Sequence, residues 1–252
     1  MTGITAGPAL RRAAALIVLL AVWESLSRVG WLDPFYAPPP SAVGRVMMDL
    51  ASGELWPHLG ATATAAIAGL AAGLVIGIVL GFAAALLPRL AELLEPVMIL
   101  LNAIPRVILA PLFVIWLGIG LASKLALATI LVAVLIFFAV FNGIKEVDRR
   151  LVERIRTLGG GRRVLVREVY VPSVTAWVLA NFKVAVGFAF TGAVVGEFVA
   201  SSRGLGYLLQ FAQSTYNAGL TLALIIIIMT FVLLLFALAG RLERRLLRWR
   251  FS

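Results

Sequence analysis

Residues 151–172 read LVERIRTLGGGRRVLVREVYVP. Arg154, Arg156, Arg162, Arg163 and Arg167 are opposed only by Glu153 and Glu168. Val152, Ile155 and Leu158 fall at helical spacing before Gly159, Gly160 and Gly161, and Val164, Leu165 and Val169 do so after them. The pattern predicts a helix, a glycine turn and a second helix, closed by Pro172. Glycine directly after a helix suits a left-handed cap, a conformation that is costly for residues with a Cβ. One apolar stripe in a basic surround suits docking on another protein. The plainer alternative is a basic connection between two buried segments.

Around this island the chain is almost continuously apolar. Of 252 residues, 62% are hydrophobic and 13% charged, against about half and about a quarter in soluble domains. The expectation is an all-α polytopic membrane protein, a single transmembrane domain over residues 1–252. The formal net charge is +10. In a soluble chain that would raise nucleic acid as a partner; here the cations flank apolar spans, and topology accounts for them. Cysteine is absent and His58 is the single histidine. Disulfides, thiol chemistry and a Cys- or His-based metal site are thereby excluded. No glycine-rich loop ends in Gly-Lys-Ser/Thr, since none of Lys124, Lys145 and Lys183 follows a glycine. The chain is therefore expected to hold no cofactor and to catalyse nothing itself.

Six spans are expected, at residues 13–27, 62–87, 96–117, 123–141, 174–200 and 219–240, with residues 143–172 as the large loop after the fourth. Arg11 and Arg12 precede the first apolar run without a small-x-small cleavage site, so that run is read as a retained helix. Pro38, Pro39 and Pro40 lead into Ser41, the expected cap of a surface helix with Val43, Val46, Met47 and Leu50 on one face. In the second span Gly69, Gly73, Gly77 and Gly81 recur every fourth residue, which predicts a face where two helix backbones approach closely. In the third span Pro105 and Pro111 each remove a helical hydrogen bond, and Pro88 ends the span before it. Asn102 and Arg106 flank the first of these breaks. Thr191 and Glu197 lie late in the fifth span, and a short helix is expected near Tyr207 and Phe211.

Six spans put both termini on one side. With the N-terminus inside, inner segments hold Arg11, Arg12, Arg89, eight Lys and Arg residues between 145 and 167, and Arg241, Arg244, Arg245, Arg248 and Arg250. Outer segments hold Arg28, Arg45, Lys124 and Arg203. The bias predicts that both termini and the island face the cytoplasm.

The island also carries a family resemblance. Glu153, Gly159 six residues later, and the run Val169, Tyr170, Val171, Pro172 resemble the cytoplasmic coupling loop of ABC importer permeases. That pattern begins Glu-Ala-Ala, then three residues, then Gly; here Arg154 and Ile155 replace the alanines. IPRVILAPLFVIWLGIG (104–120), GEFVASSRGLGYLL (196–209) and WLDPFYAPPPSAV (31–43) are similar to segments of nitrate/sulfonate/taurine-type permeases. The resemblance runs in order from Trp23 to the end.

The resemblance implies a type I importer fold and a permease subunit in a prokaryotic plasma membrane. The implied partners are a second permease copy, two cytoplasmic ATPases that carry ATP and Mg, and an external binding protein. It implies that Glu153, Ile155, Thr157, Leu158, Gly159, Arg162, Val164 and Pro172 contact the ATPase. Asn102, Pro105, Arg106, Pro111, Thr191 and Glu197 are the pathway or gate candidates. For Arg106 three roles compete: bonding backbone freed by Pro105, pairing with Glu197, or attracting an anionic solute. The implied solute is a small anion such as a sulfonate, taurine or nitrate. The runner-up solutes are an aromatic acid, a pyrimidine vitamin precursor or riboflavin. An ATP-independent channel or carrier is the lesser reading, because Glu24 and Glu197 sit near span ends rather than mid-membrane.

Overall fold

The computed structural model describes residues 7–246. Its helices are α1 (Pro8–Val29), α2 (Pro40–Ala51), α3 (Leu55–Leu86), α4 (Pro88–Ala103), α5 (Arg106–Leu117), α6 (Leu121–Lys145) and α7 (Arg149–Thr157), followed by α8 (Arg162–Val199), α9 (Leu205–Ser214) and α10 (Ala218–Leu246). No strand occurs among the described residues. Four of these helices are long and apolar enough to cross a membrane: α3, α6, α8 and the Ala218–Arg241 part of α10. The pair α4 and α5 would make a fifth, bent by 108° at its break. The chain divides into two compact units. One holds the residues up to Trp56 with Leu208–Met229; the other holds Pro57–Tyr207 and the chain from Thr230 on.

In the first unit, Gly30 takes φ 83° and ends α1 in a left-handed cap. The expectation that Ser41 caps α2 is corrected. Pro39 is the N-cap and Pro40 the first helical residue, as a fixed φ and a missing N–H favour. Ser41 then lies inside the first turn with an orphan N–H. Glu24 of α1 takes that N–H at 3.0 Å, the Ser41 hydroxyl at 2.7 Å and Arg28 Nε at 2.6 Å. A carboxylate from a neighbouring helix thus does the work assigned to the local hydroxyl. Val43 and Leu50 of α2 are buried, with Val46 and Met47 half-buried beside them.

The second unit is assembled around α6. Leu127, Ala128, Val132, Ile136, Phe137 and Val140 are almost wholly buried. Gly69, Gly73, Gly77 and Gly81 of α3 face α6. A Cβ on Gly73 would lie 2.5 Å from Val132 Cβ, one on Gly77 2.7 Å from Ala133 O, and one on Gly81 2.8 Å from Phe137 O. On another side, α8 brings Gly192 against Ala128 and Gly196 against Lys124, where a Cβ would stand 2.6 Å and 3.2 Å from the respective Cα atoms. Val132, Ile136, Val140 and Ile144 pack with Val174, Ala185 and Ala189 of α8. Met98 of α4 joins Val134, Phe137 and Phe141, and Leu109 and Ala110 of α5 close on Leu127.

Two proline expectations are also corrected. Of the prolines in residues 96–117, Pro105 alone breaks a helix; Pro96 and Pro111 lie inside α4 and α5. Ile104 adopts φ −69°, ψ 127°, the extended conformation that a following proline favours. Pro172 does not close the charged segment. Residues Val166–Tyr170 form a π turn, in which Val171 N–H reaches Val166 O. The hydrogen-bond ladder has already changed register there, so Pro172 sits at the start of regular α-helix, where its missing N–H is tolerated. Of the stripe across this segment, Leu165 is buried, Val169 half-buried and Val164 exposed.

The glycine seam has a direct test. Gly73→Leu and Gly77→Leu should each cost about 1–3 kcal/mol or more through overpacking, seen as loss of the monodisperse detergent peak in size-exclusion chromatography. Gly44→Ala, which meets open space, serves as the control. A normal peak and yield for both leucine variants would show that α3 does not need this contact.

Candidate functional site

The loop between α6 and α8 is built from its base outward. At the base, Ser173 Oγ donates to Gly143 O at 2.8 Å, and the bare Gly143 backbone receives the Trp177 ring. Asp148 caps α7 by accepting from Arg150 N–H at 2.9 Å. The far end of α7 is a complete Schellman turn: Gly160 N–H donates to Ile155 O at 2.8 Å and Gly159 N–H to Arg156 O at 3.0 Å. Gly159 takes φ 80°, with nothing within 4 Å of a Cβ position, so its requirement is purely conformational. Gly160 has the opposite requirement, since a Cβ there would stand 2.8 Å from Ile155 O. The spacing argument singled out Gly159 alone; the crowding at Gly160 depends on how the Ile155 side chain folds back.

The turn presents an apolar tip. Leu158 is 78% exposed, and Val164 on the next helix is 45% exposed. Glu153 and Arg162 are exposed, Ile155 is half-buried, and Pro172 is exposed. Thr157 Oγ1 bonds back to Glu153 O at 2.9 Å. Glu153 enters no ion pair among the described residues. Between the loop and the α3–α4 turn lies a cleft of about 430 Å³, walled by Leu86, Leu87 and Leu165 and edged by Arg156 and Arg162. A stiff loop with an exposed leucine and unpaired charge can bind a partner; it carries no constellation for bond chemistry.

The remaining sequence candidates are not gathered into one site. Asn102 and Pro105 are exposed at the α4–α5 break, and Pro111 is exposed within α5. Arg106 opens α5, but its side chain lies outside the described residues, as do Arg244's side chain and the tail that holds Arg248 and Arg250. Thr191 bonds its own helix at Gly187 O, 2.8 Å away. Glu197 is turned into a buried cluster instead. Its Oε2 accepts from Thr62 Oγ1 at 2.8 Å and from Gly206 N–H at 3.0 Å. Thr62 Oγ1 accepts from Leu205 N–H at 2.8 Å, and His58 Nδ1 from Gly204 N–H at 3.0 Å. Lys124 Nζ donates to Ser201 Oγ and to Arg203 O. Nothing in the sequence groups Thr62, His58 and Lys124. The one local signal was Gly204 and Gly206 in alternation just beyond Glu197.

Close-packed apolar helices and one solvent-presented basic loop describe a multi-pass membrane protein. A family model described as "Binding-protein-dependent transport system inner membrane component" matches residues 73–248. The chain belongs to this family, and it is a permease subunit of an ABC importer of the bacterial inner membrane. It is 38% identical to a riboflavin transport system permease protein of Chloroflexus aurantiacus, covering 97% of this chain and 92% of the relative. It is 30% identical to a taurine transport system permease protein of Escherichia coli (93% and 87% covered). To a putative aliphatic sulfonates transport permease protein of the same organism it is 32% identical (92% and 88%). A methionine ABC transporter solved in inward-facing conformations shares the fold at TM-score 0.61 and 22% identity, covering 79% of this chain and 97% of that one.

Gly159→Val should destabilise the turn by on the order of 1 kcal/mol or more. Trypsin should then cut the arginine-rich loop about fivefold faster, if cleavage follows local opening. Gly161→Ala, which has a negative φ and open space, should digest at the parent rate. Equal rates for Gly159→Val and the parent would show that the left-handed turn is dispensable.

Proposed function

We propose that residues 143–172 are the coupling loop through which a cytoplasmic ATPase drives this permease. The observation that carries the reading is Leu158, 78% exposed on the tip of a fully hydrogen-bonded glycine turn. An apolar side chain held out by an ordered turn offers a partner surface to bury on contact. Leu158 and Val164 enter a groove on the ATPase, Glu153 pairs with a basic group there, and Ile155, Thr157, Gly159, Arg162 and Pro172 shape the contact. In this reading the chain crosses the membrane six times with both termini in the cytoplasm, which would bring the loop within reach of the ATPase; the bias of Lys and Arg supports that orientation. One loop per chain calls for two permease copies, in the simplest case a homodimer. Two ATPases, each with its own ATP and Mg, and an external binding protein complete the importer. Closure of the ATPases moves the loops and swings packed helices between inward- and outward-open states.

The solute in this reading is a small anion of the sulfonate, taurine or nitrate class, in keeping with the taurine and sulfonate relatives. A second reading, riboflavin or a pyrimidine precursor, is favoured by the 38% identity to the riboflavin permease. In proteoliposomes holding this chain, its ATPase and its binding protein, labelled taurine uptake should be competed by an alkanesulfonate and not by riboflavin. The reverse pattern selects the second reading. The coupling contact is tested separately by co-purification. Glu153→Lys and Leu158→Ser should each weaken ATPase retention about tenfold, the order of one lost charged or buried apolar contact, while the chain remains in the membrane. Undiminished retention by both variants would place the ATPase contact elsewhere.

A further inference from the structure

We infer that Glu197 is a positioning residue that fastens residues 201–207 to the same rigid body as the coupling loop, so that displacing one end of α8 moves the other. The inference rests on the coupling-loop reading above.

The connection is physical along its whole length. From Arg162 to Val199, α8 is one helix of 38 residues, about 57 Å at the usual rise. It is fastened to α6 at both ends. Near the coupling loop the fastening is Ser173 on Gly143 and Trp177 over Gly143; at the far end it is Gly192 on Ala128 and Gly196 on Lys124. Backbones this close cannot slide past each other without overlap. A push on the loop is therefore carried to the end where Glu197 sits.

At that end the carboxylate holds the following segment by directional bonds. Glu197 is 1% exposed, and a polar group so buried is costly unless hydrogen-bond partners meet it. The donors come from two places: the Thr62 hydroxyl of α3 and the N–H of Gly206 in the first turn of α9. Thr62 in turn takes Leu205 N–H, and His58 takes Gly204 N–H while its ring stacks on Tyr207 at 5.8 Å. The opening N–H groups of α9, on Leu205 and Gly206, thus go to side chains of α3 and α8. Two glycines make the approach possible. Gly204 takes φ 121°, and any Cβ there would meet the Glu197 carboxyl group; one on Gly206 would lie 2.8 Å from Glu197 Cβ. Packing alone would be served by an apolar side chain. The acid instead ties Gly206, at the end of residues 201–207, to α8 and α3 by directional bonds, so that the segment moves with them. Its Oε1 has no protein partner among the described residues, so the clamp acts through Oε2.

The test uses the complete complex in proteoliposomes with ATPase and binding protein. Glu197→Leu should leave ATPase retention and basal ATP hydrolysis intact but lower binding-protein-stimulated hydrolysis about tenfold, the order set by a hydrogen bond to a charged group. Glu197→Gln, whose amide oxygen can accept both bonds, should recover most of the stimulation. Thr62→Val, which keeps the acid and removes one donor, should resemble Glu197→Leu and takes its place if that variant does not assemble. The chain has no cysteine, so a spin label at Arg203→Cys reports on the segment alone. Its mobility should change when the parent complex is trapped with ATP and vanadate, and stay unchanged in Glu197→Leu or Thr62→Val. A label that does not respond to trapping in the parent complex overturns the inference whatever the variants do. So does full stimulation in an assembled Glu197→Leu or Thr62→Val complex. Undiminished ATPase retention by both Glu153→Lys and Leu158→Ser removes the coupling-loop reading, and this inference with it.

Discussion

The close approach of helix backbones at α6 is the contact on which the rest of the second unit depends. In hydrocarbon, burying one apolar side chain against another gains little over leaving it in lipid, so association relies on fit. α3 reaches α6 along four glycines, and α8 reaches it along Gly192 and Gly196. Each missing Cβ lets dispersion contacts form along the backbone itself. The large side chains that fill the remaining space, Phe137, Phe141 and Ile136, all belong to α6. At Gly143 the roles reverse, with the glycine on α6 and the bulky Trp177 on α8.

Seated on that framework, the loop of residues 143–172 owes its shape to local chemistry. Asp148 caps α7, and the Schellman turn ends it with no help from other elements. The opposite end of α8 is organised differently. There Glu197, Thr62, His58 and Lys124 come from three separate helices and meet over two glycines. One end is self-contained and exposed; the other is held by the tertiary fold.

What could be read from the sequence follows the same line. The helix, glycine turn and helix of residues 151–172 were legible because helical periodicity and a left-handed cap are local properties. The glycine face of α3 was legible because its period of four is written in the chain. Pro172 misled because a proline preceded by a π turn needs no helix end, and that change of ladder leaves no compositional mark. The Ser41 cap misled because the acid that serves α2 lies 17 residues away on α1. The Glu197 cluster joins residues 135 to 146 apart. No single-chain periodicity connects such positions, and the glycines at 204 and 206 become intelligible only once the carboxylate is seen beneath them.

The completed hydrogen bonding of the Gly159 turn has a kinetic consequence. A segment that orders only on meeting its partner gives up conformational entropy at every encounter and regains it at every release. This loop has already surrendered that freedom when the chain folds. Its docked and undocked shapes can therefore be the same, and a cycling partner would find a surface ready for contact with no refolding step in between. In the proposed coupling, the free energy of each cycle would then go to moving helices rather than to rebuilding the handle by which they are moved.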